Sequence, residues 1–565
     1  MKEAFQTILK AKPFGLDEAG IAQVEKQLNE LSVEEKVGQV FCVEYWSTDE
    51  QMIEEICRRN LGAVMTLPGK YDDFQESRKK FAAMKTPILI GGNLEEGADV
   101  LREGTNVANL LEVGATGDPV WAGKLGEITG KEAAAAGINW AFAPVTDIGM
   151  NYRNGVIATR VFGSDKDFVR EASVQFVKEL QTQNVACALK HFPGDGVDER
   201  DQHFAPSINS LSEEEWFESY GSIYKACIEQ GAKTVMVGHI MAPALTKAIN
   251  PEIADEDILP ASTSKELLTG ILRGRLGFNG MITTDATNMA GFDMVLPREK
   301  AIPAAINAGC DMILFTKNLE DDMKAMMKAA ESGELSMERL DEAVVRVLGL
   351  KASLGLLDPI SFDDVEERKL LLGSAEAKQA AQECADRSIT LVKNKENLLP
   401  LDTSRIKTIC LATEVEGRGF GSRNEDFAHY LGAKLEERGF RVIYHVENGE
   451  GDPFYLNGDK LREACDLILY ATNLNSISNK AVTRLSWGHS MGKDAPSHIN
   501  EVPTMFVSFG NPYHLIDVPR IKTFINAYKF NAYTVDAVLD KMLGLSDFTG
   551  VSPVDPFCGY WDTRL

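Results

Sequence analysis

From residue 30 to about 320, short apolar or β-branched runs alternate with longer stretches in which apolar residues recur at helical spacing. Eight runs read as strands: VGQVFCVE from Val37, LGAVMTL from Leu61, TPILIGGNLE from Thr86, INWAFAPVTDI from Ile138, VACALKHFPG from Val185, TVMVGHI from Thr234, GMITTDA from Gly280 and MILFT from Met312. Strands that alternate with helices build parallel sheets, and eight such units close a (β/α)8 barrel of the TIM type. The second run is the weakest, and the pattern does not set its direction in the sheet.

Helical spacing continues in MERLDEAVVRVLGLKASLGL from Met337, and the charged, strand-poor stretch after it reads as a linker. Beyond that, SITLVKN, IKTICLAT, FRVIYHV, DLILYAT, TMFVSFG and IKTFINAY read as strands between helices. This predicts an αβα sandwich with a mostly parallel, open sheet. The expected organisation is a TIM-like barrel over 1–356, a linker over 357–384 and a C-terminal αβα sandwich over 385–565. Two domains also suit a chain of 565 residues, which exceeds what one core usually supports.

Composition narrows the partners. With 44% hydrophobic and 25% charged residues the chain is an ordinary globular one. Its formal charge of -25 repels nucleic-acid phosphates and anionic lipid alike, so nucleic acid and membrane are not expected partners and a small substrate is. No run approaches the roughly 20 apolar residues of a membrane span. The first residues, MKEAFQTILKAKPFGLDEAG, lack the apolar core of a secretory signal, which makes the cytoplasm the expected location. The nine cysteines are scattered without CxxC or metal-ligand spacing, so reduced core thiols are expected, with no metal and no cofactor.

Chemistry enters at the ends of the runs. Asn93 and Glu95, Asp147, Lys190 and His191, His239 and Asp285 all stand where an apolar strand gives way to a loop. In a parallel barrel the active site is built on that carboxyl-terminal face. The loop KHFPGDGVDERDQHF, Lys190 to Phe204, is rich in Gly, Pro and charge. Within it, Asp201 and His203 are spaced so that a turn sets the carboxylate on one imidazole nitrogen and leaves the other for a substrate. A local hydrogen bond of no catalytic meaning is the alternative reading of that spacing. Lys190 and His191 are good donors to sugar hydroxyls, although Lys190 pairing with a buried carboxylate fits equally well. Asp285 suits attack on an anomeric carbon, or a metal if further ligands cluster near it.

Four blocks carry a specific resemblance: FAPVTDIGMN with ATRVFGSD, KHFPGDGVDERDQH, GFNGMITTDATNMAGF and SITLVKNKENLLPL. In that order they resemble glycoside hydrolase family 3, and the loop resembles its β-N-acetylglucosaminidase branch. The resemblance implies a nucleophile at Asp285, an acid/base at His203 oriented by Asp201, and sugar contacts at Arg160, Lys190 and His191. Asn93, Asp195 and His239 complete the expected substrate contacts, with capping of a turn as the alternative for Asp195. Asn93 stands where the family commonly has Asp, Asp195 replaces the His of PGHG, and Gln202 stands where Ser or Thr is usual.

A histidine donor adds no second negative charge beside Asp285, and the resemblance links such members to phosphorolysis as well as hydrolysis. The expected activity is that of a retaining, exo-acting β-N-acetylglucosaminidase on small muropeptide or chitin-type fragments, consistent with peptidoglycan recycling. A β-glucosidase or β-glycoside phosphorylase on the same site, or a noncatalytic sugar-binding relative, are the alternatives.

Overall fold

The computed structural model describes residues 3–565 apart from 416–419, 421–424, 446–453, 455, 457, 477, 479–483 and 489. In the first half the eight expected runs become β1 (Phe41–Tyr45), β2 (Ala63–Thr66), β3 (Leu89–Gly92), β4 (Trp140–Ala141), β5 (Ala186–Phe192), β6 (Thr234–Val237), β7 (Met281–Ala286) and β8 (Met312–Leu314). They close into a barrel in the order β1-β8-β7-β6-β5-β4-β3-β2. Every pairing is parallel, including both pairings of β2, whose direction the sequence left open.

The barrel holds because its strands are buried on both sides. Cys42, Ala63, Met65, Leu89, Trp140, Phe142, Ala186, Ala188, Met236, Met281, Met312 and Leu314 form one interior cluster. Each large apolar side chain in it contributes about 1.5–3 kcal/mol relative to exposure. Trp140 keeps its indole satisfied by donating to Thr234 Oγ1 at 2.9 Å, and the Thr234 hydroxyl donates to the Cys187 carbonyl at 2.6 Å. At the amino-terminal ends, buried Asp311 accepts from Arg273 and Arg339, each at 2.7 Å, and from the Ile282 amide at 2.9 Å. That carboxylate ties β7 to the start of β8 and to the helix Met337–Ser353. Burial and the neighbouring Arg346 push the Arg273 guanidinium down to about 9.

The chain divides into two compact units. The first comprises Met1–Val107, Ala122–Asn151 and Lys166–Lys378, and the second Ala108–Trp121, Tyr152–Asp165 and Gln379–Leu565. The stretch expected as a linker is therefore structured: it contains the helix Val365–Lys369, and the division falls inside the helix Ala375–Ser388. Residues 108–121 and 152–165, both within the expected barrel domain, cluster with the second unit. Such short excursions carry no shift of composition, so hydrophobic patterning does not reveal them.

The second unit contains β9 (Thr390–Asn394), β10 (Thr408–Val415), β11 (Arg441–Tyr444), β12 (Leu467–Asn473), β13 (Thr504–Ser508) and β14 (Thr523–Asn526). Their order is β9-β14-β13-β12-β10-β11. All neighbours run parallel except β9, which pairs antiparallel with β14 at one edge. Val446, the last residue of the expected FRVIYHV strand, lies outside the described residues. Alternate side chains go to opposite faces. Leu411, Leu469, Val507 and Ile525 enter one cluster, while Cys410, Ile468, Phe506 and Phe524 enter the other. On the latter face the rings of Tyr470, Phe506 and Phe524 stack with nearly parallel planes, their centroids 6.2 and 5.1 Å apart. Among the described residues no helix is long and apolar enough to cross a membrane, and no group of three His, Cys, Asp or Glu is arranged to hold a metal.

Candidate active site

The polar strand ends meet at the carboxyl-terminal end of the barrel. β7 runs from buried Thr283 and Thr284 to Asp285, whose side chain keeps 14% of its surface exposed. The Ala286 amide donates to Asp285 Oδ1 at 2.7 Å, and His191 Nε2 lies 3.9 Å from Oδ2. Burial raises the pKa of this carboxyl, but His191, His239, the Ala286 amide and His203 together outweigh it and hold the group below the usual carboxylate range.

Successive strand side chains point to opposite faces until the strand bends, so at least one of Lys190 and His191 is expected to face the pocket; in the structure both reach carboxylates of the barrel. Between Leu189 and Phe192 the register of β5 slips against β6, so that three steps on β5 match two on β6. The inserted residue lets two successive side chains serve the same end of the sheet. Lys190 Nζ pairs with Glu95 Oε1, a buried carboxylate, at 2.6 Å. His191 Nδ1 meets Asp147 Oδ2 at 2.7 Å, which turns Nε2 toward Asp285. Asp147, fully buried, also accepts at Oδ1 from the amides of His191 (3.1 Å) and Asp195 (2.8 Å).

The loop after β5 carries the Asp201–His203 pair as its spacing suggested. Asp201 Oδ1 accepts from the His203 amide at 2.8 Å and contacts His203 Nδ1 at 2.6 Å. The Asp201 side chain is buried and the imidazole is 28% exposed, so the carboxylate fixes Nδ1–H and Nε2 faces away from it. Gln202, also buried, accepts at Oε1 from the His239 amide (2.7 Å) and donates from Nε2 to Asp195 Oδ2 (3.4 Å). The Ala290 amide donates to the His203 carbonyl at 3.0 Å. Two glycines admit this packing: a Cβ on Gly291 would stand 2.2 Å from the Gln202 carbonyl oxygen, and one on Gly238 would stand 2.9 Å from Gln202 Oε1.

His239, expected among the substrate contacts, is turned to the protein. Its Nε2–H donates to the Ala286 carbonyl at 3.0 Å, and its Nδ1 accepts from the Ser262 hydroxyl at 3.0 Å. Burial lowers its pKa, and the ring supports the end of β7. Asp195 is only 2% exposed, and its Oδ1 accepts from the Gly196 amide at 2.7 Å. Asn93 directly follows β3 and is exposed, and among the described residues its side chain makes no hydrogen bond. Arg160 belongs to the second unit and donates from Nη1 to the Val156 carbonyl at 3.2 Å.

The barrel thus gathers Asp285, Lys190, His191, Asp195, Asp201, His203 and His239, and adds Glu95 and Asp147 as the carboxylates that hold Lys190 and His191. Their position at strand ends was the available signal for these two. Together the groups offer an ionised carboxylate, an imidazole with a free nitrogen backed by a second carboxylate, and oriented donors. That set suffices for nucleophilic attack coupled to proton transfer.

The model of the glycosyl hydrolase family 3 N-terminal domain matches residues 32–350. The chain is 42% identical over 563 residues to a β-N-acetylglucosaminidase/β-glucosidase of Cellulomonas fimi, covering 99% of this chain and 100% of that one. Among solved structures it is similar to the β-glucoside phosphorylase BglX bound to 2FGlc, with a TM-score of 0.93 and 41% identity over 98% of this chain and 100% of that one. A family 3 β-N-acetylglucosaminidase from Paenibacillus sp. str. FPU-7 shares the fold, with a TM-score of 0.76 and 24% identity over 93% of this chain and 99% of that one.

Proposed function

This chain belongs to glycoside hydrolase family 3, and within that family we propose that it is a retaining, exo-acting β-N-acetylglucosaminidase working through Asp285, His203 and Asp201. The observation that carries this reading is the pairing of an Asp285 carboxyl held ionised with a His203 imidazole fixed at Nδ1 by Asp201, 2.6 Å away.

In the first step Asp285 Oδ2 attacks the anomeric carbon and the bond to the leaving oxygen breaks. The proton on His203 Nε2 passes to that oxygen. In the second step water attacks the anomeric carbon, the sugar–Asp285 ester bond breaks, and His203 Nε2 takes the water proton. Two inversions give net retention. Asp201 holds Nδ1–H throughout, so the ring donates from Nε2 as the imidazolium in the first step and accepts there as the neutral imidazole in the second. Lys190 and His191, held by Glu95 and Asp147, orient the sugar's hydroxyls, and exposed Asn93 offers an amide donor and acceptor to its rim.

A second reading, phosphorolysis, is supported by the imidazole itself. A carboxylate in the place of His203 would repel an incoming phosphate dianion, whereas imidazole does not. The solved relative named as a β-glucoside phosphorylase points the same way.

Nitrophenyl N-acetyl-β-glucosaminide and β-glucoside, each with and without phosphate, separate these readings. Free N-acetylglucosamine without phosphate dependence is the expected product. A sugar 1-phosphate would establish phosphorolysis, and much faster cleavage of the β-glucoside would overturn the choice of sugar. A 2-fluoro sugar should leave a covalent adduct on the peptide containing Asp285. An adduct elsewhere, or full activity in Asp285→Ala, would sink the mechanism.

A further inference from the structure

The contacts around the candidate site form a closed circuit. Asp285 Oδ2 faces His191 Nε2 at 3.9 Å, and His191 Nδ1 is held by Asp147 at 2.7 Å. Asp147 Oδ1 accepts from the Asp195 amide at 2.8 Å, and Asp195 Oδ2 accepts from Gln202 Nε2 at 3.4 Å. Gln202 Oε1 accepts from the His239 amide at 2.7 Å. His239 Nε2 donates to the Ala286 carbonyl at 3.0 Å, and the Ala286 amide returns to Asp285 Oδ1 at 2.7 Å. Gln202 is the residue between Asp201 and His203, so this circuit holds the proposed acid/base pair in fixed relation to the proposed nucleophile.

Polarity makes the link between residues 195 and 202 directional. The His239 amide is a donor, so the Gln202 atom facing it must be the oxygen, and the nitrogen is left for Asp195. Asp195 is suited to receive it: one oxygen takes the Gly196 amide, the other faces Gln202, and the residue is 2% exposed. The Asp195 main chain is anchored too, because the buried Tyr220 hydroxyl donates to its carbonyl at 2.6 Å. A carboxylate so enclosed has little surface left for a sugar. The two places where the loop departs from the family's usual residues are therefore one hydrogen-bonded unit.

We propose that Asp195 and Gln202 are positioning residues that set His203 against Asp285, and that neither contacts the sugar. The proposal rests on the function given above. It is distinct from the expectation that Asp195 recognises a hydroxyl.

The test uses the full chain and two aryl glycosides of the same sugar, one with a leaving group that needs a proton and one, a 2,4-dinitrophenolate, that does not. kcat/KM reports the step in which the leaving group departs. Gln202→Glu keeps the oxygen toward His239 but sets a second carboxylate against Asp195. Its kcat/KM should fall about tenfold or more for the poor leaving group and stay within about threefold for the good one, as for a misplaced proton donor. Adding Asp195→Asn interchanges donor and acceptor and should restore most of the loss.

Equal losses on both substrates, a rise in KM without leaving-group dependence, or a double variant no better than the single would overturn the positioning role. If Gln202→Glu does not fold, Asp195→Ala read on the same pair of substrates decides. Failure of the underlying function looks different: wild-type protein would then give no 2-fluoro adduct at Asp285. An adduct in wild type with uniform losses in the variants would defeat this inference alone.

Discussion

His191 Nε2 lies 3.9 Å from Asp285 Oδ2 while the other nitrogen of the same ring is held by Asp147. Against the burial that raises the Asp285 pKa, His191 is the first of the groups that lower it. A carboxyl with a lowered pKa is ionised at all pH values above it and loses its charge only as pH falls through it. The acid limb of kcat/KM due to this group should therefore lie below the ordinary carboxylate range. Replacing His191 by Asn should move that limb to higher pH, and an unchanged profile would show that His191 does not tune Asp285.

The acid/base pair should separate by leaving group. His203→Ala is expected to lose about 10²–10⁴-fold in kcat/KM on substrates that need protonation, the usual range for a general acid, and far less on dinitrophenyl glycosides. Asp201→Asn leaves the ring in place but takes away the carboxylate that fixes its tautomer. A smaller loss with the same dependence on leaving group is expected, measured across a series of substituted phenyl glycosides.

Lys190 and Glu95 are a buried ion pair at 2.6 Å, with side chains 3% and 11% exposed. Removing one partner takes this ion pair away, at a cost of about 3–5 kcal/mol. Glu95→Ala should lower the denaturant midpoint accordingly, while Glu95→Leu with Lys190→Met should cost less than the sum of the two single variants. Additive losses would mean that the pair is not energetically coupled.

His239 is buried and its pKa is lowered, first by desolvation. In the unfolded chain imidazole binds its proton more readily, so this group favours the folded state above the unfolded pKa, about 6.5. That contribution disappears as pH falls from there through the lower folded value. Unfolding titrations in this window should show wild type losing stability with acid, and His239→Gln losing less.

The barrel was legible because each of its strands is a short apolar run flanked by helical spacing, from VGQVFCVE at Val37 to MILFT at Met312. The candidate groups were legible for the related reason that a charged residue ending such a run, as in MITTDA, has no place in a packed interior. What escaped depends on contacts between distant parts of the chain. Glu95 and Asp147 stood at strand ends, yet nothing local tells that they would clasp Lys190 and His191, since those contacts span 95 and 44 residues of chain. The membership of 108–121 and 152–165 in the second unit escaped because it depends on contacts with residues after 379, which periodicity does not encode. His239 looked like its neighbours at the strand ends, and only the positions of Ser262 and Ala286 turn it away from a ligand.

The fit of Gln202 against Gly238 and Gly291 bears on any attempt to transplant this loop. Its shape is written into three separate stretches of chain, because the carbonyl of Gln202 occupies the space a methyl group at 291 would take, and its side-chain oxygen crowds the space at 238. A donor loop carrying a different residue at 202 would arrive without a matching seat. A host barrel with alanine at 291 would refuse this one, and alanine at 238 would push the Gln202 side-chain oxygen from its place. Exchange of acid/base loops between such barrels should succeed only when the segments around 195, 238 and 291 travel together as one cassette.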